Sequence, residues 1–321
     1  MLPSHQGSFR LFRVAGITVY LHWWWFLFAV FAISTRQRAY SSPVWNVAEY
    51  LTLFLIVLLH EFGHSLACRQ TGGKADEIVL WPLGGVAFVK PPSRPGAELW
   101  SIAAGPLVNV ALIPVILGLD WARLHLGWGA GEADYRRYLR YVTLMNYGLL
   151  IFNLLPVYPL DGGQILRSLL WFKLGKWRSL RVVTIVGFFG IAAVFALMMW
   201  QERNNLGRIE AWFMPLLLTG FLLSQCMTGY RHAQALLALE RSPRVGGFAC
   251  PSCAEAPPGG PLWLCPSCGN RFNPFSTGGV CPHCSAARTA VPCPSCGEAA
   301  SVEAWAERAK RGSDEPPRLR G

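Results

Sequence analysis

Hydrophobic positions gather into six long runs, over residues 17–33, 47–68, 100–119, 139–157, 182–200 and 211–227. A helix of about twenty apolar residues spans the hydrocarbon core of a bilayer. The pattern therefore predicts an all-α polytopic membrane protein with about six transmembrane helices. Two runs carry residues that disrupt helices, Gly105-Pro106 in the third and Pro156 and Pro159 in the fourth. Proline removes a backbone hydrogen bond, and interrupted backbone survives in a membrane only against protein or a wet cavity. Both interruptions point to a polar interior. Between the second and third runs the pattern shortens: residues 77–81 and 86–90 read as β-strands around Leu83-Gly84-Gly85, which predicts a small hairpin or re-entrant element.

Composition and charge sharpen this picture. Of the 321 residues, 52% are hydrophobic and only 15% charged, against roughly a quarter charged in soluble proteins. The net charge is +11, yet from position 245 onward seven Lys/Arg face six Asp/Glu. The excess thus lies around the apolar runs, as orientation signals do, and no nucleic-acid partner is expected. Counted in alternate loops from an inside N-terminus, Lys and Arg divide fourteen inside to eight outside. This predicts a multi-pass cell-membrane protein with both termini in the cytosol. The first run is long enough to span and no small-residue cleavage site follows it, so a cleaved signal peptide is not expected.

The second run contains His60, Glu61 and His64, three ionisable groups where insertion into hydrocarbon costs a few kcal/mol each. Residues four apart share a helix face, roughly 5–6 Å apart at Cβ, so two imidazoles can reach one tetrahedral zinc ion. Glu61 stands beside them, placed to activate a water at the metal. This is the H-E-x-x-H pattern of zinc proteases. A further ligand is needed. Gly84 stands where thermolysin-like enzymes place a Glu, and Gln70 where metzincins place a His. Cys68 shares the face of His64 but reads as packing. Asp161, at the proline break in "NLLPVYPLDGG" (153–163), is a candidate, and with Gln164 three positions on it also reads as a helix cap.

Those motifs carry a resemblance. His60-Glu61-Phe62-Gly63-His64, "AAGPLVNV" at 103–110 and the 153–163 stretch resemble the site-2 protease family of intramembrane zinc metalloproteases, over about residues 16–227. In layout the chain is similar to the compact branch that includes the sporulation sigma-factor-processing protease. The resemblance implies that His60, His64 and Asp161 bind a catalytic Zn²⁺, that Glu61 is the catalytic carboxylate, and that Asn109 and Asn153 lie near the active site and position substrate. Fewer than 35 residues separate the second and third runs, too few for an inserted PDZ domain, and no nucleotide-sensing tail domain is evident.

With the N-terminus inside, His60 lies roughly 10 Å from the cytosolic end of its helix, so water must reach that depth. A helical substrate must unwind to be cut. An extended segment of it can add to the edge of the hairpin around Gly84 and Gly85, which are therefore substrate-binding candidates.

The composition turns to Pro, Gly and Cys after Arg241. The organisation expected is a metalloprotease core over 1–236, a linker over 237–248, a double zinc ribbon over 249–298 and a disordered tail over 299–321. Four C-x-x-C pairs, Cys250/Cys253, Cys265/Cys268, Cys281/Cys284 and Cys293/Cys296, supply two Cys₄ sites for structural Zn²⁺. A cytosolic tail disfavours disulfides. Sequential pairing is expected, first with second and third with fourth, with cross-bracing open. Such a module suits a cytosolic protein partner.

The function these features predict is hydrolysis, within the lipid bilayer, of peptide bonds in or near the membrane segments of membrane-anchored regulatory proteins. The alternative is a catalytically silent membrane scaffold that recruits partners through its ribbons, against which the intact Glu61 speaks. A metal transporter is disfavoured because the other runs lack further ionisable residues.

Overall fold

The first apolar run is not a span. Ile17, Val19 and Leu21 are buried while Thr18 and Tyr20 between them are half-buried, the period of two that a strand requires. These residues form β2 (Ile17–His22), antiparallel to β1 (Ser8–Val14). The two are joined at Ala15-Gly16, whose φ angles of 50° and 76° give the positive values of a tight primed turn. The rest of the run is α1 (Trp24–Thr35), 12 residues or about 18 Å, too short for a core of roughly 30 Å. Taken as a block of apolar residues, strand and helix merge; the alternation separates them. The computed structural model describes residues 7–36, 39–81, 84–127, 133–201, 203 and 209–312.

The expected hairpin is present as β3 (Lys74–Trp81) and β4 (Gly84–Lys90), with Trp81 opposite Gly84 and Leu80 opposite Gly85. It belongs to a larger sheet, in the order β1-β2-β3-β4, in which β2 and β3 run parallel. The all-α expectation is corrected to a mostly helical fold with a four-stranded sheet. The crossover between the parallel strands is α1 followed by α2 (Pro43–Gln70). Ile17, Val19, Leu21, Ile78 and Leu80 pack with Trp25 and with Val57 and Leu58 of α2. The sheet thus rests on the turn of α2 just before His60.

The helix α3 (Pro95–His125) passes through Pro106 and Pro114 without a break, against the expected interruption. Neighbouring helices sustain such a proline by packing around it. The break in the fourth run is real: α4 (Ala133–Leu154) stops, and α5 (Asp161–Leu174) starts after a six-residue turn. Next come α6 (Lys176–Gln201) and α7 (Ile209–Glu240). Among the described residues, α2, α3 and α6 are long and apolar enough to cross a membrane.

The chain divides into two units, residues 1–233 and 234–321. In the second, β5 (Trp263–Leu264) pairs with β6 (Arg271–Phe272) and β7 (Val291–Pro292) with β8 (Ala299–Ala300), and α8 (Val302–Gly312) follows. The expectation of disorder from 299 is corrected over α8. Its composition is charged, but Val302 and Trp305 lie on one face, and Trp305 is fully buried beside Cys250, Trp263 and Cys293. Residues 313–321 lie outside the described residues. Part of the expected linker, up to Glu240, is helical.

Candidate active site and cysteine tail

Helix α2 turns one continuous face inward. His60, Glu61, His64, Ser65 and Cys68 are all buried on it, His60 at 4% and His64 at 8% exposure. The partner face of α3 carries small or polar residues at Ser101, Ala104, Gly105 and Asn109, all buried. Such residues let two membrane helices approach closely. The approach is tight: a Cβ on Gly63 would lie 2.7 Å from the carbonyl oxygen of Ala104. A Cβ on Gly105 would lie 2.3 Å from His64 Nε2 and 2.8 Å from His60 Nε2. Gly105, which the sequence suggests as a break, instead makes the space in which both imidazoles meet.

Both rings are pinned from behind. His64 Nδ1 donates to the Ser101 carbonyl at 2.9 Å, and His60 Nδ1 donates to Asn109 Oδ1 at 2.6 Å. With the proton on Nδ1, each ring presents the lone pair of Nε2 forward. The two Nε2 atoms are 3.1 Å apart.

The third corner comes from α5. Asp161 is its first residue, and the helix start carries no side-chain capping bond. The capping box is therefore not formed; Gln164 instead donates from Nε2 to the Pro159 carbonyl at 2.9 Å. A Cβ on Gly162 would lie 2.2 Å from the Leu154 carbonyl oxygen, so this glycine allows α5 to start hard against the end of α4. That start aims Asp161 Oδ2 at the histidines, 3.0 Å from His60 Nε2 and 3.4 Å from His64 Nε2.

Edges of 3.0, 3.1 and 3.4 Å fit one ion. Ligand bonds of about 2.0–2.1 Å in a tetrahedron place corners about 3.3 Å apart. Two imidazole nitrogens and a carboxylate oxygen at this separation need a proton or a metal ion between them. Glu61 is buried at 6% exposure, one residue along the helix.

The two asparagines have different surroundings. Asn153 Nδ2 lies 3.5 Å from His60 Nε2, beside the triangle. Asn109 is fully buried and its amide is engaged by His60 and Asn146. Asn146, on α4, is a residue of the site that sequence reasoning passes over. Its one signal is an amide inside an apolar run, seven positions before Asn153.

Fold and site together bring an H-E-x-x-H motif on a long apolar helix and an aspartate from a distant helix close enough to hold one metal ion. Residues 48–120 and 129–197 match the model of Peptidase family M50. A zinc metalloprotease of Methanocaldococcus jannaschii is 35% identical over 180 residues, 56% of this chain and 50% of the relative. Stage IV sporulation protein FB of Bacillus subtilis is 32% identical, over 38% of this chain and 40% of its own length. A solved structure, the site-2 protease from Methanocaldococcus jannaschii, is 27% identical, with 70% of this chain and 95% of that chain covered at a TM-score of 0.47. The chain spans about half the length of the first of these curated relatives.

The cysteine tail forms two four-sulfur clusters, but the pairing is nested. Cys250 and Cys253 join Cys293 and Cys296, while Cys265 and Cys268 join Cys281 and Cys284. The sequential pairing is thus corrected, and cross-bracing is not found either. Chain spacing does not decide it, since the first and second knuckles are 12 positions apart and the third and fourth 9, against 13 for the second and third; the first and fourth meet instead around their shared core of Trp263, Phe275 and Trp305. Opposed sulfurs stand 3.6–3.8 Å apart. Zinc–sulfur bonds of about 2.3 Å give tetrahedral edges near 3.8 Å, whereas a disulfide needs about 2.05 Å. In every knuckle the residue after the second cysteine has positive φ, namely Ala254, Gly269, Ser285 and Gly297. Its N–H returns to the carbonyl of the first cysteine at 2.8–2.9 Å. Backbone N–H groups of Cys268 and Ser267 hold the Cys265 thiol down to about 6, while neighbouring thiols push Cys284 of the same cluster up to about 12.

Proposed function

We propose that this chain is an intramembrane zinc metalloendopeptidase that cuts membrane-anchored proteins in or near their spans. The observation that carries this reading is the triangle of His60, His64 and Asp161 on helices of a membrane protein. The match to family M50 over residues 48–120 and 129–197 and the likeness to zinc metalloproteases support it.

Bound there, zinc would supply Lewis-acid polarisation of the scissile carbonyl and a more acidic attacking water. The chain's own residues do the rest. Ser101 and Asn109 fix the orientation of the two imidazoles. Glu61 takes the proton from the attacking water and returns it to the leaving amine. Asn153, beside the triangle, orients the substrate carbonyl.

Substrate enters as an extended strand along β4, an edge of the four-stranded sheet. Backbone hydrogen bonds would hold it there, and the sheet's packing on α2 would fix its register against the site. Gly84→Val with Gly85→Val should slow cleavage at least tenfold while leaving metal content unchanged. Full activity in that variant would exclude strand addition. With the first run folded as a strand and a short helix, the loop charges no longer place both termini on one side of the membrane; the ribbons offer a surface for a protein partner.

Metal analysis tests the assignment directly. Purified full-length protein should hold three zinc ions, and truncation after Arg241 should leave one. Incubation with a membrane-permeant chelator should abolish cleavage of a co-reconstituted single-span protein, and added zinc should restore it. Cleavage that survives removal of the third ion would overturn the assignment.

A further inference from the structure

We propose that Asn146 is a positioning residue for the metal centre: it acts through Asn109 to hold His60 in the one tautomer that can bind zinc. This rests on the zinc-site reading above.

The relay is directional. Asn146 Nδ2 donates to the backbone carbonyl of Asn109 at 3.0 Å. That bond fixes which end of the Asn146 amide is oxygen. Asn146 Oδ1 then accepts from Asn109 Nδ2 at 2.9 Å. This in turn leaves Asn109 Oδ1 facing His60 Nδ1 at 2.6 Å, where only an N–H on the ring satisfies it. With its proton on Nδ1, His60 offers Nε2 as a lone pair 3.1 Å from His64 Nε2 and 3.0 Å from Asp161 Oδ2.

An amide has a donor end and an acceptor end of nearly equal size, so Asn109 alone cannot choose between them. Reversed, it would offer Nδ2 to His60 and favour the tautomer protonated on Nε2, which cannot ligate there. Asn146 removes that choice. Both asparagines are fully buried, so no water competes for these bonds. Their satisfaction is also mutual, which makes reversal of either costly. The fourth helix thus contributes to the centre without touching the ion.

The test is a double-mutant cycle read by zinc affinity. Full-length protein in detergent is equilibrated with zinc buffers, and the free zinc at half-occupancy of the third site is measured. Asn146→Leu should raise that concentration by about 10–100-fold, the usual effect of losing a partner behind a ligating histidine. In an Asn109→Asp background the same change should raise it less than about threefold. A carboxylate presents an acceptor to His60 whichever way it turns, so nothing remains for Asn146 to orient. Because Asn146→Leu is common to both arms, it controls for damage to packing: a purely structural role would cost the same in both backgrounds.

Equal losses in the two backgrounds, or no loss with Asn109 present, would overturn the relay while leaving the zinc site intact. Wild-type protein with only the two tail ions would overturn the zinc-site reading, and the relay with it.

Discussion

Glu61→Gln should leave all three zinc ions in place and slow cleavage of a co-expressed single-span protein by about 10²–10⁴-fold, the usual contribution of a positioned general base. That is about 3–5 kcal/mol of barrier. The substitution conserves the shape of a side chain that is buried at 6% exposure. It also leaves the corners of the triangle, His60, His64 and Asp161, unchanged. What it removes is the ability to take a proton. Retained zinc with lost cleavage would separate chemistry from metal binding. Identical fragments at identical rates from both proteins would refute the enzyme and favour a silent scaffold.

Gly105→Ala should be as severe by a different route. Its methyl group would lie 2.3 Å from His64 Nε2 and 2.8 Å from His60 Nε2, closer than carbon and nitrogen can stand. Both positions belong to the ring atoms that face the ion, so no rotamer of the histidines evades the clash while keeping the triangle. We expect the third zinc to be lost and cleavage to fall to background, with the two tail ions unaffected. The helix itself should gain, since alanine exceeds glycine by roughly 1 kcal/mol in helix propensity. Loss of the third ion with both tail ions retained is the signature. An intact third site in Gly105→Ala would mean that the α2–α3 approach is wider than described.

Much of the site is legible in the sequence because its chemistry is local. His60 and His64 need only the helical repeat to face one ion, and each C-x-x-C knuckle needs only a tight turn. The limits appear where distant residues decide. Asp161 reads equally as a cap until α5 is seen to begin against the end of α4. Gly105 reads as a helix breaker until α3 is seen to run on through Pro106, with the glycine opening a space instead. Asn146 is silent because its partner is 37 positions away on another helix. The first apolar run misleads for a different reason: a buried strand followed by a short helix is as rich in apolar residues as a span, and only the alternation at Ile17, Val19 and Leu21 distinguishes them.

The nested arrangement of the tail has a consequence for how it matures. The inner cluster is complete once Cys284 has been synthesised, whereas the outer one waits for Cys296. Closing the inner loop brings together Cys268 and Cys281, 13 positions apart, and the outer loop Cys253 and Cys293, 40 positions apart. The difference in chain entropy favours the inner by about 1 kcal/mol. Once formed, the inner ribbon shortens the free chain that the outer must still close. Of the two clusters the inner would thus be the first to fill during synthesis, and a shortage of metal would leave the last knuckle hanging open.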